Sequence, residues 1–137
     1  MMRATLTIAV VLGALALDRL ALSTSAGADL LTPSPERISQ VFVTSVAAHR
    51  PEQARERLTR GARQEWPSAR IRELDRAWRE RHGDYRMAEG QAVHDGKRAD
   101  LHARFRTARG GPVERSFVLE RDADTAFWKI ARIEDGG

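Results

Sequence analysis

Glu89 and His102 are the first two residues whose types suit joint chemistry. A two-residue hairpin loop at Asp95-Gly96 would set them face to face on neighbouring strands, where a carboxylate can orient an imidazole as a general base. A solvent-facing hairpin displays the same pair, so an exposed polar cross-strand contact accounts for it without catalysis. Arg86, Phe105 and Arg115 form a second group. Counted registers align them across three strands on the face toward the helices, where two guanidinium groups flanking a ring could grip a planar anion. In the plainer arrangement both arginines run out to water and their stems cover Phe105. His94 and His102 fall on opposite faces of paired strands, so they make no two-histidine metal site, while His49 and His82 end helices, where an imidazole suits the terminal carbonyls.

Composition removes several classes of chemistry. The chain has 137 residues and no cysteine, which excludes disulfides, thiolate nucleophiles and cysteine-ligated zinc. No Ser-His-Asp order, phosphate-binding glycine loop or acidic metal cluster occurs, since Gly110-Gly111 joins two strands instead of opening a helix. Neither a cofactor nor a metal is therefore expected. The net charge of +4 is small, and arginines alternate with acids, as in Arg55-Glu56-Arg57 and Arg72-Glu73-Leu74-Asp75-Arg76. That is the pattern of solvated helix faces, with no stacking aromatics among the arginines, so nucleic acid is not an expected partner.

The elements that must position these residues follow from periodicity. Ser34-Pro35 reads as an N-cap followed by proline in the first turn, opening an amphipathic helix over Pro35 to His49 that Pro51 stops. A short second helix is expected over Glu52 to Leu58 or slightly beyond, with Ala54, Leu58 and Ala62 on one side and its end near Gly61, and a third over Ser68 to Arg81, burying Ile71, Leu74 and Trp78 and ending at His82-Gly83. Beyond Gly83 the period changes to two, with turn signals at Asp95-Gly96, Gly110-Gly111-Pro112 and Asp122-Ala123-Asp124. Four antiparallel strands follow in a meander: Tyr85 to His94, Arg98 to Thr107, Val113 to Arg121 and Thr125 to Glu134. The predicted register pairs Gly90 with Leu101, Ala88 with Ala103, and Arg86 with Phe105, then Leu101 with Leu119, Ala103 with Phe117, and Phe105 with Arg115. Ala88, Gly90, Ala92, Leu101, Ala103, Phe117 and Leu119 then face the helices, with Trp128 and Ile130 also inward.

Ahead of this α+β domain lies a segment of a different kind. Met1-Met2-Arg3 is a short positive start, Thr5 to Leu17 is an uncharged apolar run, and Ser25-Ala26-Gly27-Ala28 supplies small residues where a signal peptidase cuts. Residues 1–28 read as an export segment with the mature chain starting at Asp29, residues 29–34 as a linker and 35–137 as the domain. Asp18-Arg19 interrupts the apolar stretch, and the alternative is an uncleaved membrane anchor over residues 4–22. Either version sets the domain outside the cytoplasm, in the periplasm or secreted.

Three helices followed by a four-stranded meander, with Ala-Ala-His-Arg-Pro-Glu-Gln-Ala-Arg-Glu-Arg-Leu at 47–58 and Phe-Trp-Lys-Ile at 127–130, resemble the nuclear-transport-factor-2-like superfamily. More narrowly, the chain looks like its small exported bacterial members described as lumazine-binding. The resemblance covers residues 35–134 and implies a cone-shaped, cystatin-like fold whose curved sheet wraps the helices, often around a pocket. Enzymes of that superfamily use a carboxylate base with Tyr, Asp or His in the pocket, which the predicted inner face lacks. The expected function is thus an exported, non-catalytic domain that binds a small molecule or an envelope protein. One alternative is an isomerase-like or cyclase-like enzyme using Glu89 and His102; another is a homodimeric accessory module paired through Tyr85, Met87, Val93 and Val118 on the outer sheet face.

Overall fold

Ser34 and Pro35 start the first helix as their types require. The Ser34 hydroxyl accepts from the Arg37 N–H at 3.1 Å, and proline fills the first turn of α1 (Pro35–Ala47). In the computed structural model, which describes residues 32–134, α1 buries Ile38, Phe42, Val43 and Val46. The helix ends at Ala47, two residues before the expected His49. The residue before a proline is crowded out of the helical region, so the chain turns away ahead of Pro51. His49 takes a left-handed φ of 63°, and the Arg50 N–H reaches the Ser45 carbonyl at 2.9 Å. The expected export segment, residues 1–28, lies outside the described residues. No helix among the described residues is long and apolar enough to cross a membrane.

The single helix expected over Glu52 to Leu58 is instead two short ones, α2 (Pro51–Arg55) and α3 (Arg60–Glu65). Thr59 restarts the helix by capping the Ala62 N–H at 3.1 Å. Between the two, a turn at Glu56-Arg57 leads into a single bridge to the sheet: the Ile130 N–H donates to the Arg57 carbonyl at 2.7 Å, and the Thr59 N–H to the Ile130 carbonyl at 2.9 Å. A fully buried Leu58 anchors this join. The last helix, α4 (Ser68–His82), buries Ile71, Leu74 and Trp78 as expected and closes at Gly83 with φ 73°. A side chain at Gly83 would be strained there and would meet the Ala108 side chain at 3.0 Å.

The sheet is an antiparallel meander in the order β1-β2-β3-β4, formed by β1 (Tyr85–His94), β2 (Arg98–Thr107), β3 (Val113–Arg121) and β4 (Trp128–Glu134). Both predicted registers are displaced by two residues. His94 pairs with Ala99 instead of Lys97, because Asp95 folds back to accept the Lys97 and Arg98 N–H groups at 2.9 and 3.0 Å. Leu101 pairs with Phe117 and Ala103 with Arg115, since the loop takes in all of Ala108 to Pro112. A shift of two preserves which face a residue occupies.

Parity breaks at one place in β1. A bulge between Met87 and Glu89 leaves Ala88 unpaired, so Tyr85 and Met87 turn toward the helices and Arg86 turns to water. A second irregularity between Val118 and Leu119 sets Ile130 and Ile133 on the same inward side of β4. β4 begins at Trp128, later than the expected Thr125, because Asp122 accepts the Asp124 and Thr125 N–H groups at 2.7 and 3.1 Å and holds those residues in a turn. The outer edge of β4 is covered by the bridge from Leu58 to Ile130. Along the outer edge of β1, the Glu36 carboxylate accepts the Ala92 N–H at 3.2 Å.

Candidate functional site

Phe42, Val43, Leu101, Phe117, Leu119 and Ile130 are at most 1% exposed, so side chains fill the space between helices and sheet. Phe42 and Phe117 meet edge to face at 6.1 Å. The expected trio does not converge there. Phe105 and Arg115 are buried, but the bulge carries the Arg86 side chain to the exposed face. Arg115 pairs with Ala103 instead of Phe105 and donates to the Glu114 carbonyl at 3.0 Å.

Glu89 and His102 do lie on the outer face, but they are not opposite each other. Glu89 pairs with Arg104, whose guanidinium lies 3.5 Å from its carboxylate, and His102 pairs with Gln91 and Ser116. The imidazole Nδ1 meets the Ser116 hydroxyl at 3.2 Å. The shift of register sets the carboxylate diagonal to the ring it was expected to orient: both still line one shallow groove on the outer face with Arg104 and Glu114, but each bonds to another partner. Of the apolar area expected on this face, Tyr85 and Met87 are turned inward and Val118 is 6% exposed, which leaves Val93. The homodimer reading thereby loses most of its apolar patch.

A different cluster assembles at the C-terminal end of α1. Asp75, 6% exposed, sits on the apolar side of α4 between Ile71 and Trp78. Its carboxylate accepts the Tyr85 hydroxyl at 2.6 Å and Arg79 Nε at 3.0 Å, and His49 Nδ1 approaches to 3.3 Å. The same Arg79 guanidinium donates from Nη2 to the Ala47 carbonyl at 2.6 Å and from Nη1 to Asp84 at 2.8 Å. One carboxylate therefore ties together the end of α1, α4 and the start of β1. Trp78 and Phe105 enclose Tyr85 on its apolar side, at ring distances of 5.2 and 6.0 Å.

The Tyr85 hydroxyl is shifted strongly upward from its ordinary value, first by burial and then by the Asp75 carboxylate to which it donates. Raising a phenol in the folded state adds stability that is present below about pH 10 and is lost as pH climbs toward the folded value. Tyr85 is the only tyrosine in the chain, so tyrosinate absorbance reads this group alone. We expect no tyrosinate signal near pH 10.5 while the circular dichroism stays native, and a signal that emerges together with alkaline unfolding. Tyrosinate forming at pH 10 in the folded protein would contradict the bond to Asp75.

Above this network runs a groove of about 490 Å³ lined by Val46, His49, Pro51 and Ile71, with Asp75, Arg79 and Glu80 along α4. Arg72 and Arg76, one helical turn apart, form its outer wall. Both are exposed, and neither makes a hydrogen bond or ion pair among the described residues. The Asp75 oxygens already face three donors of the protein itself. The groups that can meet a bound molecule are the two guanidiniums of Arg72 and Arg76 and the imidazole of His49, whose side chain is 72% exposed. Sequence reasoning took His49 as a helix end and did not single out Asp75. The signal was present: a carboxylate at the apolar spacing Ile71, Leu74, Asp75, Trp78 needs a buried partner. Among the described residues there is no group of three or more His, Asp or Glu arranged to hold a metal.

No family model and no curated protein matches the chain. Among solved structures it is similar to the solution structure of a SEC-C motif containing protein from Rhodopseudomonas palustris, at 18% sequence identity, over 74% of this chain and 78% of that one. The TM-score is 0.50, a likeness of fold alone: α+β, with helices against an open four-stranded antiparallel sheet.

Proposed function

We propose that this is a non-catalytic binding domain of the nuclear-transport-factor-2-like type, exported from the cytoplasm, and that its ligand sits in the groove between α1 and α4. The groove itself carries the reading: an apolar floor of Val46, Pro51 and Ile71 beside two exposed arginines that make no hydrogen bond or close ion pair among the described residues, Arg72 feeling only the charge of Glu52. The filled inner face supports the choice of groove over cone interior, because Leu101, Phe117 and Leu119 occupy the volume that a pocket there would need. Export rests on the apolar run and small residues of the first 28 positions.

Native mass spectrometry of the protein taken from its host's envelope or medium tests both parts. The expected result is a chain beginning at Asp29 that carries a small molecule, and an Arg76→Trp variant, filling the groove from an exposed helical position, that does not. A wild-type protein that is clean of adduct, or an adduct that persists in Arg76→Trp, overturns the groove. Intact Met1 in a chain confined to the cytoplasm overturns export.

A further inference from the structure

We infer that the groove selects an amphipathic monoanion, a single carboxylate or comparable acid group carried on an apolar chain or ring. This rests on the groove being the binding site and adds the class of ligand. The apolar part lies on Val46, Pro51 and Ile71, and the acid group meets Arg72 and Arg76. Adjacent guanidiniums on successive helical turns suit one acid group, and the apolar wall beside them strengthens the pairing over what open water allows.

The other charges set the number of charges the ligand carries. Arg79 contributes little, because its charge is already paired with the Asp75 and Asp84 carboxylates. Asp75 and Glu80 add two carboxylates to the lining, the first compensated by Arg79 and the second in no ion pair among the described residues. A dianion or polyphosphate would bring its second charge toward Glu80 with no further cation to receive it. A cationic amphiphile would meet the like charges of Arg72 and Arg76. A single negative charge matches this lining.

The test compares three probes with one chain length, octanoate, 1-octanol and octyltrimethylammonium, titrated below their aggregation limits into the isotope-labelled protein as isolated, with amide shifts read by NMR. Octanoate is expected to move the amides of residues 46–50 and 71–80, to bind about tenfold more tightly than octanol, and to weaken as salt is raised. In an Arg72→Gln, Arg76→Gln double variant the octanoate affinity should fall about tenfold while the melting temperature holds within about 2 °C, since both side chains are exposed and Arg72 gives up only a screened attraction to Glu52. Octanol binding as tightly as octanoate at those amides keeps the groove and overturns the anion. Octanoate moving only other amides, or affinity unchanged in the double variant, also overturns the anion. If none of the three probes moves those amides, the groove falls with it.

Discussion

Asp75→Ala should lower stability by about 2–4 kcal/mol and the melting temperature by roughly 10–20 °C. The loss is large because the substitution strands donors instead of removing a matched pair. The Tyr85 hydroxyl, enclosed by Trp78 and Phe105, is left buried without its acceptor, which alone costs about 1–3 kcal/mol. Arg79 and His49 add less than a fully buried partner would, since their side chains are 32% and 72% exposed and rehydrate. Asp75→Asn keeps an acceptor for Tyr85 and should cost less than alanine. Thermal melts of the three proteins at neutral pH decide the point. An alanine variant melting within about 2 °C of wild type would show that the carboxylate does not anchor α1, α4 and β1.

Trp128→Ala should cost about 3–5 kcal/mol. The ring is 3% exposed at the start of β4, with Arg121 stacked over it at 4.4 Å and His94 edge-on at 5.4 Å. Truncation removes a large apolar area and leaves a cavity that the adjoining Ile130, tied by both its backbone groups to residues 57 and 59, cannot move to fill. Arg121 also loses the surface it covers, although its bonds to the Gly96 and Ala126 carbonyls remain. Chemical denaturation at 25 °C measures the difference, and a midpoint unchanged from wild type would refute the buried placement.

Element order and strand limits were legible because they depend on local signals. The Ser34 cap, the Gly83 stop and the change of period after it mark α1, α4 and the meander, and three of the four strands run between the residues expected. Pairing across strands was less legible. A turn dipeptide gives a loop length only when its side chains stay out of the backbone bonding, and Asp95 does not. The bulge at Ala88 has no composition of its own, yet it decides which way Tyr85 and Arg86 point. From that one unpaired residue follow both the loss of Arg86 from the trio with Phe105 and Arg115 and the burial of the tyrosine against Asp75, while the longer loop before β3 moves Arg115 from Phe105 to Ala103. The candidate site was hidden for a related reason: His49, Asp75 and Tyr85 meet only through tertiary packing, and no spacing rule connects them.

The two edges of the sheet differ in a way that bears on assembly. Residues 57–59 occupy both outer backbone groups of Ile130 in β4, so a strand adding there would meet an interruption near its start, whereas β1 pairs on one side only among the described residues, with its Ala92 N–H taken by Glu36. A protein with one open edge has a valence of one for strand addition. Two copies joined through β1 would satisfy each other's longer edge, and growth beyond a pair would have to start from the interrupted edge of β4. Fibre formation by repeated edge pairing needs two free edges on every molecule, and among the described residues one of the two is broken at Ile130.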